Sequence, residues 1–307
     1  MYDLIIVGGG PGGVAAGVYA ARKKLKAVLV TESFGGQSIT SAEIQNWIGA
    51  KSISGFDLAK SLEEHVRAQE GLDIMDSERV SAVRELPDGL EVALENGKKL
   101  ETKYLLVVSG SRRRKLGVPG EHELDGRGVA YCSTCDAPVF RNRTVAVVGG
   151  GNAGLEAVRD LLPYAAKVIL LEFAETLKGD AVTQEQLRAN PKVTFITRAK
   201  TEGILGEREV TGLEYTDLNT NEKKTLEVGG VFVEVGILPN SEFVKDLVKL
   251  DPYGFIIVDH KTQRTSHPRI WAAGDITDQP YRQNNIAAGD AAKAVLCIGD
   301  IMHGHSE

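Results

Sequence analysis

A chain of 307 residues is long enough for two domains of ordinary size, and 42% hydrophobic with 25% charged residues places it near the globular average, which sets aside fibrous and disordered classes. The net charge of −6, with no like-charged run beyond Arg112 to Lys115, gives no surface for nucleic acid. Apolar runs such as 105–108 and 168–171 fall far below the roughly 20 residues that span a bilayer, and the N-terminus lacks the basic flank and cleavage site of a signal peptide, so a cytoplasmic chain with no membrane partner is expected.

In chain order, Asp3 to Val7 is a β-branched run and reads as a strand. Gly8-Gly-Gly-Pro-Gly-Gly13 then makes a tight turn, an alanine-rich stretch to Lys24 a helix, and Ala27 to Val30, ending at Glu32, a second strand. Pro87-Asp88-Gly89 and Asn96-Gly97 mark turns between extended segments, and Leu105 to Gly110 closes the unit as an apolar strand ending in glycine. Arg112 to Lys115 reads as a solvated linker into Leu116-Gly-Val-Pro-Gly120.

The same order then repeats. Val145 to Val148 precedes Gly149-Gly-Gly-Asn-Ala-Gly154, a helix is predicted to about Leu162, and Val168 to Leu171 ends at Glu172. Turn signals at Leu205-Gly206 and Asn219 to Asn221 lead to a closing strand, Val231 to Gly236, followed by Ile-Leu-Pro-Asn240. The fold class expected is α/β, with two Rossmann-like dinucleotide-binding domains, the second inserted into the first. The bounds are 1–114 and 241–307 for the outer domain, and 115–240 for the inserted one.

Each glycine turn has the Gly-x-Gly-x-x-Gly spacing in full context. Gly8, Gly10 and Gly13, with Pro11 opening the helix, are followed by Glu32, 24 residues beyond Gly8. Gly149, Gly151 and Gly154, with Asn152 and Ala153 between, are followed by Glu172, 23 residues beyond Gly149. The first glycine permits the turn, the second lets a pyrophosphate approach the backbone, and the third lets helix and strand pack closely. A helix N-terminus supplies N–H groups for phosphate, and the acid suits a ribose diol. At Glu172 a carboxylate repels a 2′-phosphate, and Phe173 to Leu177 offers no arginine, so NADH is favoured over NADPH.

Three cysteines do not make a secreted disulfide scaffold. Cys132-Ser-Thr-Cys135-Asp136 would make a poor staple: closing so short a loop stabilises by roughly 2 kcal/mol, against nearly 5 for a 100-residue loop in the same entropy model. Two thiolates are half a tetrahedral zinc site and no second Cys-x-x-Cys completes it, so no metal is expected and redox exchange is the better use. Asp136 either caps a helix or turn or shuttles a proton to the thiolates. Cys297 reads as a small core residue.

Taken together these motifs resemble low-molecular-weight thioredoxin reductases, and still more the C-terminal portion of the flavoprotein subunit of alkyl hydroperoxide reductase, through 149–180 and its Leu-Leu-Glu-Phe-Ala. The match runs from Tyr2 to about Ile301, and its most specific parts are Gly35-Gly36-Gln37, Cys132 to Asp136, Trp271-Ala-Ala-Gly-Asp275 and Tyr281-Arg-Gln283. The resemblance implies FAD on the outer domain, with Gly8, Gly10, Gly13 and Glu32 on its adenosine and pyrophosphate. Gly36, Gln37, Gly110, Gly274 and Asp275 would line the cofactor, while Arg282, Gln283 and the helix starting near Ala287 approach the isoalloxazine. It implies further that Cys135 faces the flavin, that Cys132 attacks a protein disulfide, and that the molecule is a homodimer.

Three departures matter. Val108-Ser109-Gly110 replaces the family's usual Ala-Thr-Gly, the His-Arg-Arg signature of NADPH users is missing, and the N-terminal tandem thioredoxin-like domain of the peroxide reductase subunit is expected to be absent. The expected activity is therefore reduction of a separate thioredoxin- or glutaredoxin-like protein by NADH through FAD and Cys132/Cys135. A dithiol oxidase of the same fold and a non-catalytic flavin redox sensor are the alternatives.

Overall fold

The computed structural model describes residues 1–41 and 43–304. The chain divides into two compact units, one of Met1–Ile39, Trp47–Arg112 and Leu238–Glu307, the other of Thr40–Asn46 and Arg113–Ile237. Arg113 and Arg114 thus group with the second unit and Leu238 to Asn240 with the first.

The first unit opens with β1 (Tyr2–Gly9), α1 (Pro11–Arg22), β2 (Ala27–Phe34), α2 (Gly55–Arg67), β3 (Leu72–Met75), β4 (Val80–Leu86), β5 (Gly89–Leu94) and β6 (Lys99–Val107). Strands β3, β2, β1 and β6 lie side by side in parallel, and β5 and β4 extend the sheet antiparallel. Leu4, Ile5 and Ile6 are wholly buried in succession, as expected of a parallel strand covered on both faces. β6 stops at Val107 rather than Gly110, whose φ of 65° leaves the extended region. Lys24, at φ 57°, likewise lies outside α1.

The crossing strand β7 (Ser111–Arg113) leads into β8 (Val129–Ala130), α3 (Ser133–Asp136), β9 (Thr144–Val148), α4 (Asn152–Leu161), β10 (Lys167–Leu171), α5 (Ala181–Arg188) and β11 (Val193–Ile196). Strands β12 (Ala199–Gly206), β13 (Val210–Asp217), β14 (Glu222–Glu227) and β15 (Val231–Val233) follow. The order β11-β10-β9-β15-β8 is wholly parallel, while β12, β13 and β14 form an antiparallel sheet. β16 (Ile237–Pro239) pairs with β7, and the chain returns to the first unit as β17 (Ile270–Ala272), parallel to β6, and α6 (Asn284–Met302).

Each unit has its own core. Val7, Val30, Val107 and Ala272 belong to that of the first; Val145, Val147, Leu170 and Phe232 pack together in the second. Trp271 is fully buried, with Tyr104 edge-on at 5.6 Å. Two different helix starts are visible. α2 and α5 are capped by Ser54 and Asp180, whose side chains accept from Asp57 N–H and Thr183 N–H. α1 and α4 begin at Gly10 and Gly151 with no side-chain cap, leaving their first amides to another acceptor.

The basic run is largely exposed, as expected of a solvated linker, and three of its side chains also have partners. Arg112 donates to Asn240 Oδ1 and Glu242 Oε1, both at 2.7 Å, and Arg113 lies 3.7 Å from Glu234. Lys115 sits 3.6 Å above the Tyr131 ring, 3.1 Å from Asp125. Among the described residues no helix is long and apolar enough to cross a membrane.

Candidate functional site

In the first unit the glycine turn follows β1 directly. Gly8 has φ 122°, and a Cβ on Gly13 would stand 1.7 Å from the Gly8 carbonyl oxygen, so the helix can lie this close to the strand only without a side chain. Pro11 occupies the first turn of α1, where its missing N–H costs nothing. Gly36, in the 3₁₀ turn Gly36–Thr40, meets this rim: a Cβ there would be 3.4 Å from Gly10 Cα. Gln37 donates through Nε2 to Ser111 O at 2.5 Å, one residue beyond Gly110.

The end of β17 reaches the same rim. Gly274 and Asp275 form the 3₁₀ turn Gly274–Ile276, where a Cβ on Gly274 would stand 3.0 Å from Ala287 Cβ. Ala287 lies in the first turn of α6, and its carbonyl oxygen would be 3.1 Å from a Cβ on Gly12. Gln283 is the N-cap of α6, and the Arg282 guanidinium stacks 4.5 Å from the Phe255 ring centroid. The turns 8–13, 36–37, 274–275 and 282–287 therefore converge where β1, β6 and β17 end. This glycine-lined rim with its open helix start fits a dinucleotide pyrophosphate.

Glu32 ends up exposed near the tip of β2, 3.3 Å from Arg79 Nε, which is also 3.6 Å from Glu95. These residues line an open cavity of about 400 Å³ together with Ser77, Glu78 and Asn96. Arg79 was not legible from sequence, since only the docking of the β3–β4 connection onto β2, through Glu78 N–H to Thr31 O at 3.0 Å, brings it beside Glu32.

The second unit repeats the turn. Gly149 has φ 118°, a Cβ on Gly154 would stand 1.8 Å from Gly149 O, and nothing lies within 4 Å of a Cβ on Gly151. Ala153 is exposed at the start of α4, and Asn152 Oδ1 accepts Asp180 N–H at 2.8 Å. Glu172 folds back over the turn: Gly150 N–H donates to Oε2 at 2.6 Å and Ala174 N–H to Oε1 at 2.8 Å. The carboxylate is thus fixed, with lone pairs remaining for a diol. Here too the cradle fits a dinucleotide.

Cys132 and Cys135 form a disulfide in the same unit, with Cα atoms 5.3 Å apart. Cys132 is the N-cap of α3, and its carbonyl accepts Asp136 N–H at 3.0 Å. The two intervening side chains are pinned by one acid, Asp160 of α4, which accepts Ser133 Oγ–H at 2.8 Å and Thr134 Oγ1–H at 3.1 Å. Asp136 makes no side-chain cap to the turn that follows, which removes the capping role weighed above. Burial pushes its carboxyl up to about 6, with Arg113 opposing and Asp125 reinforcing.

A further acid nearby was missed by sequence reasoning. Glu234, just past β15, is 8% exposed, and burial pushes it to about 7 against the pull of Arg113, with Glu156 and Asp160 adding to the rise. Its only sequence signal is a charge directly after a buried strand. Glu121 is also buried, accepting Leu116 N–H at 3.0 Å, Gly117 N–H at 2.7 Å and Tyr131 O–H at 3.0 Å. Cys297 is intermediate in exposure on α6.

Comparison with known proteins places these features in context. Residues 2–293 match the family described as pyridine nucleotide-disulphide oxidoreductase. An alkyl hydroperoxide reductase subunit of Pseudomonas putida is 46% identical over 302 residues, covering 97% of this chain and 58% of that protein. A Bacillus subtilis protein named NADH dehydrogenase is 44% identical over 301 residues, 98% of this chain and 58% of that one. The chain therefore spans less than two thirds of the length of these relatives. Among solved structures, thioredoxin reductase from Streptococcus pyogenes superposes with a TM-score of 0.92 at 33% identity, covering 99% of both chains.

Proposed function

This chain belongs to the pyridine nucleotide-disulphide oxidoreductase family, and from that premise we propose that it reduces a separate thioredoxin- or glutaredoxin-like protein with electrons from NADH. The fold is that of thioredoxin reductase, a flavoprotein with two dinucleotide-binding domains, and family membership implies FAD and a pyridine nucleotide. The observation that carries the reading is one unit holding both a fixed Glu172 beside its glycine cradle and the Cys132–Cys135 disulfide.

In this reading FAD rests on Gly8, Gly10, Pro11, Gly13, Glu32, Gly36, Gln37, Gly110, Gly274, Asp275, Arg282, Gln283 and Ala287. The pyridine nucleotide rests on Gly149, Gly151, Asn152, Ala153, Gly154 and Glu172. When bound, the two cofactors would supply the electron pair that opens the disulfide. Cys132 as thiolate then attacks a sulfur of the partner's disulfide, forming a mixed disulfide and releasing one partner thiolate. Cys135 attacks the Cys132 sulfur, re-forms the intramolecular bond and releases the second. Asp136, able to hold a proton near neutrality, passes it between the cysteine sulfurs and the departing thiolate.

The second cradle argues against an oxidase fed by a small dithiol, which needs no nucleotide. NADH is favoured because Glu172 is held in place to read a 2′-hydroxyl. Losing a charge-assisted hydrogen bond costs about 1.5–3 kcal/mol, so NADH should exceed NADPH by at least about tenfold in kcat/KM. A homodimer is carried over from the resemblance.

Anaerobic titration tests the proposal. The yellow protein should be bleached by NADH, far more slowly by NADPH, and recover its colour on adding an oxidised thioredoxin. The variant Cys135→Ser should trap that thioredoxin as a mixed disulfide, while Cys132→Ser should not. Colour that returns only on admitting oxygen would favour the oxidase, and slow turnover with every donor and disulfide protein would favour the sensor.

A further inference from the structure

The two glutamates after β10 are held differently. Glu172 is locked by the Gly150 and Ala174 amides, and its own N–H and C=O pair with Ile196 O and Ala199 N–H across the parallel strand end. Glu175, three residues on, is exposed, and its Oε2 lies 2.6 Å from Nη2 of Arg198. Arg198 sits between β11 and β12 at φ 53°, with its N–H on Ala174 O at 3.0 Å and its carbonyl accepting Leu218 N–H at 2.8 Å. Its backbone is therefore clamped to the very loop that holds Glu172, while its side chain is 41% exposed.

We propose that Arg198 is a latent ligand for a 2′-phosphate whose charge Glu175 neutralises, so that Glu172 and Glu175 together keep the site selective for a nucleotide with a free 2′-hydroxyl. The inference rests on the reading of Gly149–Gly154 as the pyridine-nucleotide cradle. It replaces the explanation available from sequence, in which no arginine stood near Glu172: the strand pairing supplies one from the neighbouring strand end. A guanidinium presents the paired donors that phosphate accepts. An exposed ion pair contributes little to stability, so Arg198 can exchange partners readily. With Glu175 ionised, however, an entering phosphate meets two carboxylates and must displace one of them.

Calorimetric titration of the FAD-loaded protein with NAD⁺ and NADP⁺, which leave the oxidised enzyme's redox state unchanged, tests this on Glu175→Gln, Arg198→Met and the double variant. Glu175→Gln should tighten NADP⁺ binding about tenfold and move NAD⁺ by less than twofold. Adding Arg198→Met should abolish that gain. Lys178, whose N–H donates to Gly150 O at 2.9 Å, is unaltered in every variant, so a gain that survives Arg198→Met would belong elsewhere and overturn the inference. An unchanged NADP⁺ to NAD⁺ ratio in Glu175→Gln, with NAD⁺ still bound, would overturn it alone. Failure of wild type to bind either nucleotide would remove the cradle reading and the inference with it.

Discussion

Arg113 is the shared counter-charge of two acids that burial has made reluctant to ionise, Asp136 at about 6 and Glu234 at about 7. For Glu234 the consequence for stability has a definite sign. Below its ordinary value of 4.5 both folded and unfolded chains hold the proton, and the residue costs nothing. As pH rises from 4.5 through 7 the unfolded chain ionises first, so stability is lost across that window. The full loss is about 3 kcal/mol at 1.36 kcal/mol per unit. Glu234→Gln should therefore raise Tm by several degrees at pH 8 and by little at pH 5, read by thermal unfolding at the two values. An equal shift at both would show that Glu234 is ionised throughout, held by Arg113 more firmly than its burial resists.

At the scale of the element, the two glycine turns do separable work. A methyl on Gly154 would collide with Gly149 O at 1.8 Å, whereas one on Gly151 meets nothing within 4 Å, and its φ of −83° suits alanine. Gly154→Ala should therefore lower Tm, at about 1–3 kcal/mol of overpacking. Gly151→Ala should leave Tm within a few degrees yet weaken NAD⁺ binding at least tenfold, because the methyl occupies the open side of the turn. Unimpaired NAD⁺ binding by Gly151→Ala would mean that the turn serves packing alone.

This separation also explains what was legible. Glycine turns, the Cys132-to-Asp136 segment and the hairpin turns at Pro87-Asp88 and Asn96-Gly97 were readable because sterics or short-range chemistry restrict the residues allowed there. Arg79 beside Glu32, Arg198 beside Glu175, and Arg113 beside Glu234 were not, because each pair joins segments far apart in sequence that only the tertiary fold brings together. Asp160 was hidden similarly: one helical acid among several, it is singled out only when α3 lies against α4 and hands it Ser133 and Thr134.

At the scale of the molecule, the chain builds the same device twice and reaches the second from within the first, crossing near 112/113 and returning near 237/238. The second unit draws almost all of its residues from one continuous stretch, while the first must join its two chain ends through β17 on β6 and α6 against α1. Long-range joining of that kind is entropically costly until contacts form, so a ligand bridging the joined segments should matter most to the first unit. FAD in the proposed position would touch both, at Gly8–Gly13 and at Gly274–Ala287, whereas the adenosine and pyrophosphate of NAD⁺ in its proposed position would rest on the second unit. A ligand at 100 times its Kd stabilises what binds it by about 2.7 kcal/mol. Hydrogen exchange followed by mass spectrometry should thus show FAD removal opening peptides that cover 8–22, 270–276 and 284–302. NAD⁺ addition to the FAD-loaded protein should protect 149–161 and 172–178 and leave the first set unchanged. If NAD⁺ instead protected 8–22, or stripping FAD opened 149–161 first, the assignment of cofactors to the two units would have to be exchanged.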